Sequence, residues 1–420
     1  MELIFAKEGI MLKIKGKYNE AKCYVNIIEP TAKAQIKEVC DKEAFEGCKI
    51  RIMPDVHAGA GCTIGTTMTI HDKVVPNMVG VDIGCGMYVV MLGKVDIDLK
   101  SFDKFAHDIP SGQDVYESIK APFDFEKLKC YDKLKDMKRL KRSIGTLGGG
   151  NHFIEIDVDE KGNKYLVIHT GSRNLGTQVA EYYQSVAVEL NSGKAEYIAM
   201  KNAMIEKMKK EGKEREIPSA ISQMDNERKG QMERINKSLC YLYGEYMKDY
   251  LHDVAICQDF ALKNREKIAE ILLSKAGLKA KSTFHTVHNY IDVKENILRK
   301  GAVSAKKGEL LLIPLNMRDG GLICIGRGNE DWNCSAPHGA GRLMSRSSAY
   351  QRLSLSEYKK QMAGIYSTCI TKSTIDESPM AYKKLDDIVN NVKPTVKIKT
   401  RIKPIYNFKA TAQYSGRKYK

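Results

Sequence analysis

The sequence contains no uninterrupted run of about 18 apolar residues, the length that a membrane-spanning helix requires. It contains no Cys-x-x-Cys pair either, and its 11 cysteines are an odd number. We therefore expect no membrane span, no zinc ribbon and no secreted disulfide framework. The first residues carry acidic Glu2 and Glu8 and no small-residue cleavage site, so they make a poor signal peptide. A reducing cytoplasm is the simplest compartment for such a chain.

The overall composition is that of a globular protein. Hydrophobic residues make up 43% of the 420 positions and charged residues 29%, which argues against disorder. Length alone allows two to four domains or one large one, at roughly 100–200 residues per domain. The 68 lysines and arginines exceed the 52 aspartates and glutamates, giving a net charge of +16. That excess fits a polyanionic partner such as nucleic acid, and it fits equally a basic protein whose lysines are solvated.

Strand patterns dominate the two ends of the chain. Up to about residue 100, short apolar runs alternate with glycine and proline, which predicts strands and tight turns. Residues 165–168 form a short apolar strand that ends at His169, and strand-like runs return at 310–314 and 322–325. A basic stretch at roughly 125–141 is predicted to be helical.

The middle of the chain, from about 178 to 277, has the helical period instead. Apolar residues recur there at three- and four-residue steps or multiples of them, namely Ile235, Leu239, Leu242, Tyr246, Val254, Cys257 and Ala261. The highly charged stretch 211–228, which holds Pro218, is predicted to be an exposed loop or arm. We therefore expect a mixed α/β (α+β) fold, a body of sheets and helices with a helical insertion.

Five turns, most of them rich in glycine, carry side chains that can do chemistry. They hold Asp82 and Cys85 (DIGCG), His152 (GGGNH), His169 (HTGSR), His285 with His288 (HTVHN), and His338 (PHGAG). Glycine lets the backbone take a positive φ and lets a ligand approach closely, and consecutive backbone N–H groups can form an anion-binding nest. One such turn is ordinary, whereas five are hard to explain by turn chemistry alone.

These residue types favour a transition-metal site. Asp, Cys and His at turn and strand ends are common metal ligands, and a Cys85 thiolate could bridge two ions. Cys and His by themselves point toward zinc. Each residue alone also has a structural explanation, which is a hydrogen-bonded, partly buried ring for a histidine and a small buried hydrophobe for Cys85.

His338 differs from the other histidines because only small residues follow it, which leaves room for a bulky partner at its ring. Arg342 and Arg346 come next at four-residue spacing, and on a helix both guanidinium groups would align and match phosphate oxygens. Such a histidine can contact phosphate, act as a general acid or attack phosphorus. The structural alternative is the first turn of a helix with a solvated arginine pair.

In their order along the chain, these motifs resemble those of the RtcB-type RNA-splicing ligases. The matching strings are MPDVHAG (53–59), VDIGCG (81–86), GTLGGGNHFIEI (145–156), HTGSRNLG (169–176), ALKNR (261–265), HNY (288–290), RKGA (299–302) and HGAGRLMSR (338–346). The string AYK (381–383) and Lys409 are also similar. Because the strings cover most of the chain from about Met53, the resemblance implies a single RtcB-like ligase domain over 1–420, with the helical insertion at about 178–277 inside it.

The resemblance implies a GTP- and Mn²⁺-dependent RNA ligase of tRNA splicing or RNA repair. Such enzymes join an RNA 3′-phosphate end, or a 2′,3′-cyclic phosphate end after its opening, to a 5′-hydroxyl end. The sequence does not identify an activating protein partner. By motif position, His338 would attack the α-phosphate of GTP and carry GMP.

The resemblance also implies a set of binding residues. Asp82, Cys85 and His152 would hold one Mn²⁺ ion, and Cys85, His169 and His288 would hold the other. The implied nucleotide contacts are Asn151, Glu155, His338, Gly339, Ala340, Gly341, Tyr382 and Lys409. The implied RNA or phosphate contacts are Arg173, Arg342 and Arg346.

Two turns depart from the usual family pattern. Members usually read PGSMG where this chain reads PLNMRDGG at 314–321, so we expect Asn316 and Arg318 to change phosphate contacts. Residues 60–62 replace a turn that usually contains an aromatic residue. Asp55 and His57 are expected either to support the site or RNA ends or to be structural turn residues, and His285 is expected to be a neighbour of the site, not a ligand.

Two rival functions stay open at this point. A two-metal phosphoesterase acting on RNA or nucleotides would use the same Asp, Cys and His cluster to activate water, with no covalent role for His338. A non-catalytic RNA-binding homologue would keep only the fold and the basic surface.

Overall fold

The computed structural model describes residues 11–25, 27–234 and 236–409, so Glu2, Glu8 and Ile235 lie outside the described residues. The strands are β1 (Leu12–Lys15), β2 (Glu20–Cys23), β3 (Ile50–His57), β4 (Ile64–Thr69), β5 (Lys73–Val74), β6 (Gly86–Gly93), β7 (Phe153–Asp159), β8 (Lys164–Thr170), β9 (Leu242–Tyr243), β10 (Ser282–Val287), β11 (Asn289–Asp292), β12 (Ile297–Lys300), β13 (Ala302–Ser304), β14 (Leu310–Asn316), β15 (Gly320–Gly326), β16 (Ser335–Pro337) and β17 (Val396–Lys409). The helices are α1 (Pro30–Cys40), α2 (Leu99–His107), α3 (Met137–Lys141), α4 (Arg173–Asn191), α5 (Lys194–Lys210), α6 (Ile217–Arg234), α7 (Gly244–Ala276), α8 (Arg346–Arg352), α9 (Leu355–Gln361) and α10 (Leu385–Val392).

The larger sheet has seven antiparallel strands in the order β10-β6-β8-β7-β17-β15-β14. Its two edge strands approach each other, because the backbone N–H of Leu312 in β14 donates to Thr286 Oγ1 in β10 at 3.0 Å. The sheet therefore rolls around an apolar interior to which Val167 and Leu312 belong. Helices α2 and α7 cover the outer face, where Leu166 is buried. Because both faces of β8 are covered, its sequence is a continuous apolar run.

The second sheet has six strands in the order β1-β2-β3-β4-β12-β11, and only the β2–β3 pair in it is parallel. Helix α1 packs beside β1 and β2. Strand β3 brings Asp55 into contact with His338, and the pairing register of β3 with β4 shifts between Ile52 and His57. The short pair β13–β16 ends at Pro337, directly before His338. Residues from both sheets thus reach one place.

Helices α4 to α7 fill the central part of the chain, and the predicted mixed α/β class is confirmed. The stretch 211–228 is largely exposed, as predicted, but most of it is helical and not a loop, because α6 begins at Ile217 and Pro218 lies in its first turn, where a missing N–H costs no helical hydrogen bond. Leu239 and Leu242, expected on a helix, lie instead in a 3₁₀ turn and in β9.

The stretch 125–141 is not one helix, contrary to expectation. It consists of two 3₁₀ turns followed by α3. The buried carboxylate of Asp253 in α7 accepts hydrogen bonds from the backbone N–H groups of Lys129 and Cys130 at 2.8 and 3.0 Å. These tertiary bonds, together with the burial of Phe125 and Leu140 in the core, outweigh the helical preference of the lysine-rich sequence.

All 11 cysteines are unpaired, and ten of them are buried. None of the helices in the described ranges is long and apolar enough to cross a membrane.

Candidate active site

Four of the predicted metal ligands meet at one edge of the seven-stranded sheet. Because neighbouring strands run antiparallel, β10 and β8 end at this edge while β6 and β7 begin there. Cys85 directly precedes β6, His152 precedes β7, His169 is the last residue but one of β8, and His288 follows β10. Strand pairing therefore brings together residues that are more than 200 positions apart in sequence.

The ligand atoms of these four residues lie close together. Cys85 Sγ lies 3.2 Å from His169 Nε2 and 3.5 Å from His152 Nε2. The Nε2 atoms of His169 and His288 are 3.4 Å apart. The ligand atoms of Cys85, His152 and His169 all lie within 4.8 Å of one another, an arrangement that could hold a metal ion. A thiol surrounded by imidazole nitrogens is a donor set typical of transition metals.

Burial keeps the rings of His169 and His288 neutral. It lowers the pKa of His169 and that of His288 well below the ordinary value, and the neighbouring histidines lower both further. The Nδ1 atom of His169 lies 3.1 Å from the carbonyl oxygen of Asn151. This contact assigns the ring proton to Nδ1 and leaves the Nε2 lone pair directed at Cys85, as a metal-binding histidine requires.

Asp82 adds a carboxylate at the more exposed side of the cluster. Its Oδ2 lies 3.1 Å from His152 Nε2. Burial by itself would raise the pKa of Asp82, but the hydrogen bond and the charge of His152 outweigh it and lower that pKa to about 2. Gly171 permits this position, because a Cβ at residue 171 would lie 2.0 Å from Asp82 Oδ1. The carboxylate is therefore ionised and available as an oxygen ligand.

His338 extends the same row of rings. Its ring centroid lies 5.2 Å from that of His288, which lies 5.1 Å from that of His169. The Nδ1 atom of His338 is 2.7 Å from Oδ2 of the buried Asp55, and the His338 backbone N–H donates to the same oxygen at 3.1 Å. The carboxylate holds the ring proton on Nδ1, so that Nε2 keeps a lone pair. Asp55 thus has a defined contact in the site, and the alternative of a purely structural turn residue does not describe it.

The ring of His338 borders a cavity of about 240 Å³. Its lining includes the whole predicted nucleotide set, namely Asn151, Glu155, His338, Gly339, Ala340, Gly341, Tyr382 and Lys409. His57, His169 and His288 line it as well. The cavity is therefore lined by two of the candidate metal ligands, by His338 and by polar groups that can contact a ligand.

Glu155 is a buried carboxyl group in this cavity. Burial raises its pKa to about 7, although the charge of Lys409 opposes that effect. Asn407 Nδ2 donates to Glu155 Oε1 at 2.5 Å. Burial and the charge of Glu155 also raise the pKa of Asp157, which lies on the same strand, well above its usual value. Near neutral pH Glu155 can therefore offer either a donor or an acceptor to a ligand.

Sequence reasoning did not identify Glu377, which is the central acid of the cavity wall. Its Oε2 accepts hydrogen bonds from Lys409 Nζ at 2.6 Å and from the Tyr382 hydroxyl at 2.7 Å. Its Oε1 lies 2.7 Å from Nη1 of Arg346 and 3.2 Å from Nη1 of Arg342. Burial would raise the pKa of Glu377, but these three cations hold it well below the usual range. The only sequence clue was its place four residues before the AYK string.

Arg342 and Arg346 are aligned by acids and not by a helix. Helix α8 begins only at Arg346, and Arg342 lies in the irregular chain before it. Besides Glu377, the backbone oxygen of Asp376 accepts from Arg342 Nη2 at 2.6 Å, and its Oδ2 lies 2.5 Å from Arg346 Nη1. Both guanidinium groups line the cavity. The alternative of a solvated pair on a helical turn is therefore not what the structure shows.

Arg173 lies on the other side of the metal cluster. It lines a groove of about 720 Å³ together with Asp82, His152 and Arg139, and this groove does not share Arg342 or Arg346. Gly148 makes room for the guanidinium group, because a Cβ at residue 148 would lie 2.0 Å from Nη1 of Arg173. The predicted phosphate-binding arginines are thus divided between two openings that both reach the candidate metal ligands.

The unusual loop at 314–321 contacts the cavity in part. Asn316 lines the cavity, but its Oδ1 accepts the backbone N–H groups of Arg318 and Asp319, so its amide is used within the turn. Arg318 does not line the cavity, and it pairs with Asp319 at 2.9 Å. His285 is exposed on β10 and has no place in the cluster of ligand atoms.

The arrangement can bind a metal ion, hold an anionic ligand and present a nucleophile. The metal candidates supply a thiol, imidazoles and a carboxylate, the arginines and Lys409 supply positive charge, and the Nε2 atom of His338 borders the same cavity. Together these features suit chemistry at a phosphorus atom.

Comparison with known proteins agrees with this geometry. Residues 35–130 and 124–410 match the protein family described as tRNA-splicing ligase RtcB. The chain is 28% identical over 407 residues to the RNA-splicing ligase RtcB of Escherichia coli (strain K12). The alignment covers 86% of this chain and 90% of that protein. The tRNA-splicing ligase RtcB of Aeropyrum pernix is 27% identical over 433 residues, covering 80% of this chain and 82% of that protein. The tRNA-splicing ligase RtcB of Archaeoglobus fulgidus is 24% identical over 488 residues, and the alignment covers 94% of this chain and 94% of that protein.

Proposed function

The chain belongs to the RtcB family, and we propose that it is an RNA ligase that joins a 3′-phosphate or 2′,3′-cyclic phosphate end to a 5′-hydroxyl end with GTP. The observation that carries this proposal is the setting of His338, whose Nδ1 is held by Asp55 while its ring borders the cavity and lies next to the ring of the candidate metal ligand His288. A histidine fixed in this way is suited to act as a nucleophile.

Two Mn²⁺ ions are part of the proposal. Asp82, Cys85 and His152 would hold one ion, and Cys85, His169 and His288 would hold the other. The donor set fits, because neutral imidazoles and a thiol converge with an ionised carboxylate beside them. When bound, the ions would neutralise phosphate charge and activate an attacking oxygen. Cys and His alone suit zinc, whereas the carboxylate and the family favour manganese.

We assign the first chemical step to His338. Its Nε2 lone pair attacks the α-phosphorus of GTP, a P–N bond forms, and the bond from that phosphorus to the pyrophosphate oxygen breaks. Asp55 accepts the Nδ1–H hydrogen bond and stabilises the positive charge that develops on the ring. A 2′,3′-cyclic phosphate end is first opened by water, which breaks the P–O2′ bond and leaves a 3′-phosphate. The GMP group then passes to the RNA 3′-phosphate as the P–N bond breaks. The 5′-hydroxyl loses its proton, attacks the activated phosphate and expels GMP.

The remaining predicted residues have roles in binding. Asn151, Glu155 and Lys409 offer polar atoms to the guanine nucleotide in the cavity, with Tyr382 beside them. Arg342 and Arg346 supply positive charge near the phosphates, held in place by Glu377. Arg173 would contact the RNA backbone in the second groove.

We also propose that residues 1–420 are one catalytic domain and that the enzyme acts in the cytoplasm, in tRNA splicing or RNA repair. The site draws on residues from Asp55 to Lys409, which supports a single domain. The 11 unpaired cysteines suit a reducing compartment.

The test is protein labelling with α-labelled GTP. With Mn²⁺ we expect an acid-labile label on the protein that is absent in His338→Ala. The matched control is His285→Ala, which removes an exposed histidine from β10 outside the ligand cluster and should label normally. Parallel reactions with Zn²⁺ identify the metal that supports the step.

Each other outcome favours a rival. Turnover of GTP or RNA to hydrolysed products without a labelled protein would support the phosphoesterase. RNA binding that weakens with salt, without labelling or sealing, would support a binding homologue. Sealing of a nicked stem-loop that bears 3′-phosphate and 5′-hydroxyl ends would exclude both rivals.

A further inference from the structure

We propose that Asn264 and Arg265, adjacent residues of α7, form a clamp that positions three of the four loops carrying the candidate metal ligands. The inference rests on the proposed function, because it concerns the same metal site. Both side chains have 0% exposure, and neither lines the cavity. They therefore act on the site through the backbone of other residues.

Asn264 uses both polar atoms of its amide on two of the loops. Its Oδ1 accepts the backbone N–H groups of Gly145 and Thr146 at 2.7 and 3.0 Å. Its Nδ2 donates to the carbonyl oxygens of Thr146 and Gly171 at 3.0 and 3.2 Å. The first loop leads to His152, and Gly171 follows the strand that carries His169. An amide that is fully used in this way has one orientation and fixes the two loops relative to each other.

Arg265 adds the third loop. Its Nη1 donates to the carbonyl oxygens of Gly84 and Thr170, both at 2.7 Å. Gly84 directly precedes Cys85, and Thr170 directly follows His169. One nitrogen atom therefore joins the backbones next to two ligands whose Sγ and Nε2 atoms lie 3.2 Å apart.

The contact between α7 and the Cys85 loop is close. Gly84 has a φ of +75°, and a Cβ at this residue would lie 3.0 Å from the Cβ of Ala261 and 3.0 Å from the Cα of Gln258. The loop is thus seated against one face of the helix over two turns. Elsewhere that helix buries apolar side chains, such as Phe260 and Leu272. The polar pair occurs at the turn that faces the ligand loops.

The charge of Arg265 supports the same interpretation. Its Nε and Nη2 atoms are buried and have no hydrogen-bond partner among the described residues. Burial lowers the pKa of Arg265 to about 10, and the attraction of Cys85 and Asp82 opposes that effect. A buried cation is costly unless negative charge lies nearby. The guanidinium group of Arg265 therefore interacts electrostatically with the ligand cluster and, through its hydrogen bonds, with the two carbonyl groups.

The test measures metal affinity directly and does not depend on ligase activity. The full-length protein is freed of metal with a chelator and titrated with Co²⁺ alone, while the thiolate-to-cobalt charge-transfer absorption is recorded. Arg265→Met should weaken Co²⁺ binding about 10- to 100-fold, the range found when groups that orient metal ligands are removed. The matched control is Leu272→Ala, a cavity in the same helix away from the loops, which should lower the unfolding temperature and leave Co²⁺ affinity unchanged.

A loss of affinity in Arg265→Met no larger than in Leu272→Ala would overturn the clamp. Should Arg265→Met fail to fold, Arg265→Lys decides, because it keeps the charge and loses the paired carbonyl contact. It should bind Co²⁺ more weakly than Leu272→Ala does, and equal affinity would overturn the inference. RNA sealing by the unaltered protein is measured in parallel, so that failure of the clamp and failure of the proposed ligase function are separate results.

Discussion

Replacement of Asp55 by asparagine should slow the attack of His338 on GTP without altering the cavity. In the structure one carboxylate oxygen accepts both the ring Nδ1–H at 2.7 Å and the backbone N–H of His338 at 3.1 Å. Asp55 is 3% exposed and does not line the cavity. Asparagine has nearly the same shape and can still accept a hydrogen bond, but it lacks the negative charge. The substitution therefore isolates the charge of Asp55.

The magnitude follows from the hydrogen bond that loses its charge. A hydrogen bond to a charged group contributes about 1.5–3 kcal/mol and a neutral one about 0.5–1.5 kcal/mol, so loss of the charge alone removes about 1–1.5 kcal/mol. The ring of His338 gains positive charge as Nε2 attacks, so the contribution of Asp55 is largest in the transition state. Because about 1.4 kcal/mol corresponds to a factor of ten in rate, we expect the rate to fall about 5- to 12-fold.

The assay is single-turnover labelling with α-labelled GTP at several GTP concentrations. The maximal rate should fall while the apparent affinity for GTP stays unchanged. Asp103→Asn is the control, because Asp103 is also buried and accepts hydrogen bonds from the hydroxyls of Tyr406 and Thr368. If Asp55→Asn labels as fast as Asp103→Asn, the reasoning about charge at His338 is refuted. A weaker apparent affinity at an unchanged maximal rate would refute it as well.

Three further predictions concern the buried acids and the thiol. Burial raises the pKa of Glu155 from 4.5 to about 7, so its contribution to stability is fully present below pH 4.5 and falls by about 3 kcal/mol as the pH rises through 7. Urea unfolding at several pH values should show this loss in the unaltered protein and not in Glu155→Gln. The same pH dependence of the free energy of unfolding in both proteins would contradict the prediction. Glu377→Gln should lower the free energy of unfolding by about 3–5 kcal/mol, because it leaves Lys409 and two arginines without their buried counter-charge; a loss too small to measure by urea unfolding would show that solvent compensates them. Cys85→Ser should abolish the thiolate-to-cobalt absorption, whereas Cys257→Ser, at an equally buried thiol of α7, should keep it. Absorption that persists in Cys85→Ser would remove this thiol from the metal site.

Much of the candidate site could be predicted because its residues lie in short local patterns. The turns at Asp82, His152, His169 and His338 combine glycine with a reactive side chain, and such turns are visible without any knowledge of tertiary contacts. The apolar run of β8 was equally clear, because a strand covered on both faces needs no alternation. The same local reasoning failed at 125–141, where the Asp253 carboxylate binds the backbone from a distant helix.

Glu377 shows most clearly what local patterns omit. Its neighbours in sequence contain no histidine or cysteine, and its importance lies in three cations that come from positions 342, 346 and 409. The spacing of Arg342 and Arg346 suggested a helix, yet the acid aligns them before α8 begins. A single residue that pairs with several distant partners has no periodicity and no motif, so only the folded chain reveals it.

Local motifs specify which kinds of atoms this protein can bring to a reaction and identify the family to which it belongs. They can do so because residue chemistry and turn geometry are local properties. How those atoms meet depends on contacts between distant segments of the folded chain. Antiparallel pairing of β10, β6, β8 and β7 places one thiol and three imidazoles at a single sheet edge, and the other sheet supplies Asp55 to orient His338. Distances between residues far apart in sequence depend on strand register and helix packing, and no segment of the sequence specifies these alone.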